Sequence, residues 1–160
     1  MPDLLIVISY FLHLIATVIW IGGIVMNALV IYPRFKGDAA IGDMNRRYQP
    51  IAMIAMAALW FSGLNQMAIN PNYKGFITIS NVWSIAILSK HIFVIVMMFV
   101  SAYSLWVVAP ELKRSSLLQA KGKLNGDRVT VLIAREARLN QFNLICGIIV
   151  LFLTAVARST

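Results

Sequence analysis

Apolar residues crowd into four stretches of the chain, and polar ones gather between them. The apolar runs cover about 4–32, 50–69, 82–109 and 139–157. A hydrocarbon core of about 30 Å takes about 20 helical residues to cross, and each run is of that order or longer. Lipid offers the backbone no hydrogen-bond partner, so a spanning segment is a helix or a strand of a closed barrel. These runs are too long and continuous for barrel strands. The pattern predicts an all-α fold, an integral membrane four-helix bundle forming one domain over residues 1–160.

Composition agrees: 60% of the 160 residues are hydrophobic, 12% are charged, and mean hydropathy is +0.79. Soluble domains are about 45–50% apolar and about 25% charged, so a cytosolic globular enzyme, a nucleic-acid module and a disordered tail are excluded. The expected surroundings are membrane lipid. Met1-Pro2-Asp3 carries no basic residue, and the run after it is too long and lacks a small-residue cleavage site. It therefore reads as a span, not a cleavable signal peptide.

The chain carries 14 Lys+Arg against 6 Asp+Glu, a net charge of +8, and their placement matters more than their number. Arg34, Lys36, Arg46 and Arg47 lie in the first connection. Lys113, Arg114, Lys121, Lys123, Arg128, Arg135 and Arg138 lie in the third, while the second holds only Lys74. The positive-inside rule then puts the first and third connections in the cytoplasm and both termini outside. A prokaryotic inner membrane is the expected location. Gly122, Asn125 and Gly126 predict a turn in the third connection, and Asp127–Arg138 a helical extension of the last span. The single cysteine, Cys146, lies inside a span and reads as a small buried apolar residue.

Both histidines fall inside spans. His13 is nine residues into the first run and His91 nine into the third, so each sits about 13 Å below the same membrane boundary. Ionisable groups within a span are expensive and mark candidate functional sites; the alternative is that each imidazole hydrogen-bonds a neighbouring helix. Neutral imidazole ligates haem iron, copper and zinc. A b-type haem held by two histidines needs one on each of two helices at similar depth. A tight copper or zinc site wants three or four ligands, and the sequence places no carboxylate within any span. A bis-histidine cytochrome carrying single electrons is thus the leading expectation, and a subunit of a larger redox complex with a quinone or redox-protein partner is one form it would take. Copper through His13, His91 and methionines such as Met53, Met56, Met97 and Met98 is an alternative.

Other residues join the candidate cofactor site. Lys90, eight residues into the third run, either snorkels or pairs with a porphyrin propionate. Trp20 lies seven residues after His13, and Gly23, Gly63 and Gly147 let a flat group approach the backbone. Gln66 is a candidate hydrogen-bond donor to a cofactor edge, and Asn140 begins a polar stripe with Asn143, Gly147 and Thr154.

The run His13-Leu-Ile-Ala-Thr-Val-Ile-Trp20-Ile-Gly-Gly23 resembles the first helix of CopD-like membrane domains and of HemJ-type protoporphyrinogen oxidases. Pro33-Arg34-Phe35 is similar to the Pro-Arg that closes that helix in the HemJ type. Lys90 stands where that family has a third-helix lysine, and Arg138-Leu139-Asn140-Gln141 resembles the opening of its fourth helix, with Gln141 in place of an acid. Leu144–Ala157 is similar to the last CopD-like helix. The resemblance implies a four-helix membrane bundle that handles haem or porphyrin. It leaves open protoporphyrinogen IX oxidation, with His13 and Lys90 as catalytic groups, and copper transport or tolerance.

Overall fold

The computed structural model describes residues 4–34, 40–71, 73, 75, 82–123 and 126–159, with no side-chain description for 40–46 and 49. Met1, Pro2, Asp3, Phe35, Lys36, Lys74 and Asn125 lie outside the described residues. All the regular elements described are helical. The first helix is Leu4–Arg34, the second Ala40–Ala68, the third Val82–Ala120 and the fourth Asp127–Ser159. Among the described residues four segments are long and apolar enough to cross a membrane: the first, third and fourth helices, and Pro50–Ala68 of the second.

Pairing follows chain order. The first helix packs along the second and the third along the fourth, while the first also touches the fourth. The chain starts its first helix and ends its fourth at the same end of the bundle, here the terminal end. The opposite, basic end carries the first and third connections.

Helices three and four run further than the apolar pattern alone indicates, to Ala120 and back to Asp127. Apolar contacts carry them: Tyr32, Leu112, Val129, Leu132 and Ile133 form a second buried cluster at the basic end. The turn between them closes on Gly122, whose φ of 69° suits a residue without Cβ. Its N–H bonds the Gln119 carbonyl at 2.9 Å and the Lys123 N–H bonds that of Leu118 at 2.9 Å, a glycine C-cap.

Two π-turns interrupt the spans, at Asn27–Ile31 and Ser104–Val108. Each precedes a proline, Pro33 and Pro110. A proline ring clashes with the carbonyl four residues back, here that of Leu29 and of Trp106. Both carbonyls lie inside the widened turns, which relieves the clash without breaking the helix.

The main core joins Ala16, Trp20, Ile24, Ala55, Met56, Met97 and Cys146. Met56, Met97 and Cys146 are therefore packing residues here, and Met97 is completely covered. Outward, Val18, Ile54, Phe99 and Phe152 leave 68–72% of their surface exposed, an apolar jacket suited to lipid chains.

Candidate functional site

Two cavities of about 320 and 370 Å³ open toward the terminal end and share His13, Gly63, Lys90, His91, Thr154 and Arg158 as walls. The histidines of helices one and three, matched in depth along the sequence, both line these cavities. Volumes of this size lie at the lower edge of the roughly 300–1,000 Å³ typical of small-molecule sites.

The hydrogen bonds behind each imidazole set which nitrogen carries the proton. His91 Nδ1 donates to the Ile87 carbonyl at 2.7 Å. Ser62 Oγ donates to the Ala58 carbonyl at 2.5 Å, so its hydrogen is committed, and it accepts from His13 Nδ1 at 2.9 Å. In the neutral form both rings then carry their lone pair on Nε2, the tautomer that ligates metals, with the orienting bond on the other nitrogen. Trp60 meets His91 edge to face, with centroids 6.0 Å apart and an interplanar angle of 77°, and this fixes the ring further.

The surroundings divide into a cationic part and an apolar part. Lys90 and Arg158 stand in the wall of both cavities, and among the described residues neither lining includes a carboxylate. Trp20, Ile21, Leu59, Trp60 and Val94 supply apolar surface to the smaller one. Gly63 lies under His13: a Cβ there would stand 3.4 Å from His13 Cε1, so glycine keeps the approach to that ring open. Gln66 faces the larger cavity, and its amide donates to the Ser9 carbonyl at 3.3 Å, so it holds helices one and two together there.

Three predicted site residues lie elsewhere. A Cβ on Gly23 would collide with the Tyr48 ring and hydroxyl; glycine admits that tyrosine, whose hydroxyl bonds the carbonyls of Ile19 at 2.9 Å and Trp20 at 3.1 Å. Burial pushes the Tyr48 hydroxyl up to about 12, so it stays a donor at any ordinary pH. Gly147 packs against Ile21 and Met97, and Asn140 donates to the Ile24 carbonyl at 3.0 Å. Neither lines the histidine cavities.

Sequence reasoning missed Ser62, Met67 and Glu136. Ser62 is legible from depth: on the antiparallel second helix it falls level with His13. Met67 is buried and faces the larger cavity, one turn beyond Gly63. Glu136 is only 1% exposed, although its position reads as part of a basic connection. Its spacing from Leu132, Ile133, Asn140 and Asn143 puts it on the bundle-facing stripe. Among the described residues no group of three or more His, Cys, Asp or Glu side chains is arranged to hold a metal ion.

A sequence model of the family described as copper resistance protein D matches residues 42–157. The chain belongs to the copper resistance protein D family. The match takes in helices two to four, hence Gly63, Met67, Lys90, His91 and Arg138–Asn140, whereas His13, Trp20 and Gly23 precede it. No curated protein and no solved structure matches the chain.

Proposed function

We propose that this membrane member of the copper resistance protein D family binds a b-type haem in its terminal half and passes single electrons through it. One observation carries the reading: His13 and His91 line the same cavities as Lys90 and Arg158. A haem has a flat apolar body, an iron that takes imidazole on either face, and two carboxylate tails. The lining supplies a counterpart for each: Nε2 lone pairs, Trp20 and Trp60 with aliphatic side chains, and two cations for the propionates. Bound haem would supply a reversible one-electron couple; the chain would hold the ligands, exclude water and balance charge. The basic connections argue for the cytoplasmic side and the termini for the outside of a prokaryotic inner membrane.

The decisive measurement is a reduced-minus-oxidised spectrum of the detergent-purified protein, beside His13→Ala and His91→Ala. Low-spin b-type bands near one haem per chain, lost in both variants, support the reading. A folded protein purified from haem-replete cells without such bands overturns it.

The family match and Met67 favour a second reading, copper handling, with His13, His91 and Met67 as imidazole and thioether ligands. The two readings demand opposite charge. Two cations at the rim oppose a copper ion but attract an anionic porphyrin. Arg158→Glu, at an exposed helix end, therefore separates them. Haem retention falls several-fold if haem is the ligand, whereas copper affinity rises if copper is.

A further inference from the structure

Within the basic end, Tyr32, Ser104, Glu136 and Asn143 line a polar cavity of about 70 Å³. A separate and larger hollow, about 410 Å³, lies between the extensions of helices three and four, and neither the haem nor the copper reading uses it. Pro110, Glu111, Arg114, Ser115 and Leu118 line it from helix three, and Arg128 from helix four.

Its level follows from the chain. Pro110 comes directly after the third apolar run, and Arg114 stands one turn further, about 6 Å along the axis, where headgroups meet water. Helical side chains tilt toward the N-terminus, which on helix three carries Arg114 back toward the bilayer. Trp106 lies four residues before Pro110 on the same side of the helix and leaves 69% of its surface exposed. Trp106, Pro110 and Arg114 thus form one stripe from lipid to headgroup level, with the tryptophan where an interfacial anchor sits.

The donors of the hollow are unevenly used. Arg128 donates to Glu111 Oε1 at 2.6 Å, so those two charges balance. Arg114 is exposed and makes no ion pair or side-chain hydrogen bond among the described residues. The described lining therefore carries one net positive charge. Ser115 is 4% exposed and lines the same hollow, and its hydroxyl has no hydrogen-bond partner among the described residues. Its neighbour Ser116, by contrast, gives its hydroxyl hydrogen to the Leu112 carbonyl at 2.9 Å. An unspent guanidinium beside an unspent hydroxyl is a donor set for phosphate oxygens.

We propose that this hollow holds the phosphate of an anionic phospholipid, with Arg114 as its charge partner, the Ser115 hydroxyl as a second donor and Trp106 beside the acyl chains. One unmatched cation answers one phosphodiester. A zwitterionic lipid would bring an ammonium group to a hollow whose described carboxylate already has a partner. A soluble phosphate would leave the apolar stripe unused. Basic pockets between spanning helices at headgroup level recur as lipid sites.

The test uses the full chain, delipidated in neutral detergent, at constant pH and ionic strength. It is titrated with short-chain phosphatidylglycerol, with phosphatidylcholine of the same chain length, or with inorganic phosphate. Phosphatidylglycerol is expected to raise the melting temperature saturably by about 2–5 °C, and the other two not at all. Arg114→Gln should weaken that lipid about 10-fold and Ser115→Ala about 3-fold, while Lys123→Gln, outside the hollow, leaves it unchanged. Arg114 and Lys123 are both exposed, so neither exchange touches the core. Phosphorus-31 line broadening of phosphatidylglycerol by the unaltered protein, absent for phosphatidylcholine, gives a readout that needs no variant. Equal responses to the two lipids, or none to either, would overturn the proposal, and an equal response to inorganic phosphate would overturn it in favour of a soluble anion. Equal weakening by Lys123→Gln and Arg114→Gln would also overturn it, and mean that only the diffuse charge of the basic end attracts the lipid.

Discussion

The two ends of the bundle are built from the same four helices and present opposite chemistry. At the terminal end two imidazoles and two cations face cavities above 300 Å³ whose described lining residues include no carboxylate. At the basic end one carboxylate and a set of neutral oxygens surround about 70 Å³, with no Lys, Arg or His among the described lining residues. Trp20 lines both the smaller terminal cavity and the basic-end one, and it is 3% exposed, so its indole is the partition. One end offers imidazole nitrogens and cations, the other a carboxylate among neutral oxygens. Sign of charge and size separate the two more sharply than helix identity does.

The harshest way to break this comparison is to remove what holds the halves in register. Met97 is 0% exposed and packs with Trp20, Met56 and Cys146 in the main core. Met97→Ala leaves a cavity beside the partition, and such truncations cost about 2–5 kcal/mol. Thermal unfolding in detergent should show a large drop, with cofactor retention at the terminal end declining alongside. Full retention despite the drop would mean that the packing around Trp20 does not support the terminal cavities.

That partition also shows how far the residues speak for themselves. Helix number, the four spans and the matched depth of His13 and His91 follow from apolar run length and from position counted along each run; that the two rings line one cavity does not. Lys90 at the same cavity follows from its neighbour. What sequence could not show is rotation about each helix axis. Gly23 and Gly147 look like floor for a cofactor, and both are consumed by close packing, one by Tyr48 and the other by Ile21 and Met97. Asn140, read as a cofactor contact, spends its amide on the Ile24 carbonyl. Glu136 hides among arginines in a stretch that reads as cytoplasmic, because charge density along the chain says nothing about which side of a helix each charge occupies. The hydrophobic cluster around Leu112 and Ile133 extends the bundle past the apolar runs, and it is that extension that buries the carboxylate.

A gentler change sharpens the terminal end alone. Ser62→Ala removes the acceptor behind His13 Nδ1 and little else, since the serine hydroxyl otherwise bonds within its own helix. Groups that orient a metal-ligating histidine are worth about 10-fold or more in metal affinity. Haem or copper binding, measured by competition with a chelator or with apomyoglobin, should weaken by about that factor while the melting temperature of the ligand-free protein barely moves. Equal binding in Ser62→Ala would mean that His13 is not a ligand.

The smallest effect concerns the surface of the basic end. Arg128 and Glu111 form an ion pair at 2.6 Å across the extensions of helices four and three, with side chains 60% and 35% exposed. Water and salt screen such a pair, and exposed pairs contribute about 0.2–1 kcal/mol. Arg128→Ala should lower stability by no more than that, with the difference fading as ionic strength rises. A larger loss that salt does not diminish would mean that the pair is shielded from water, and that the basic end is closed at its rim as well as in its interior.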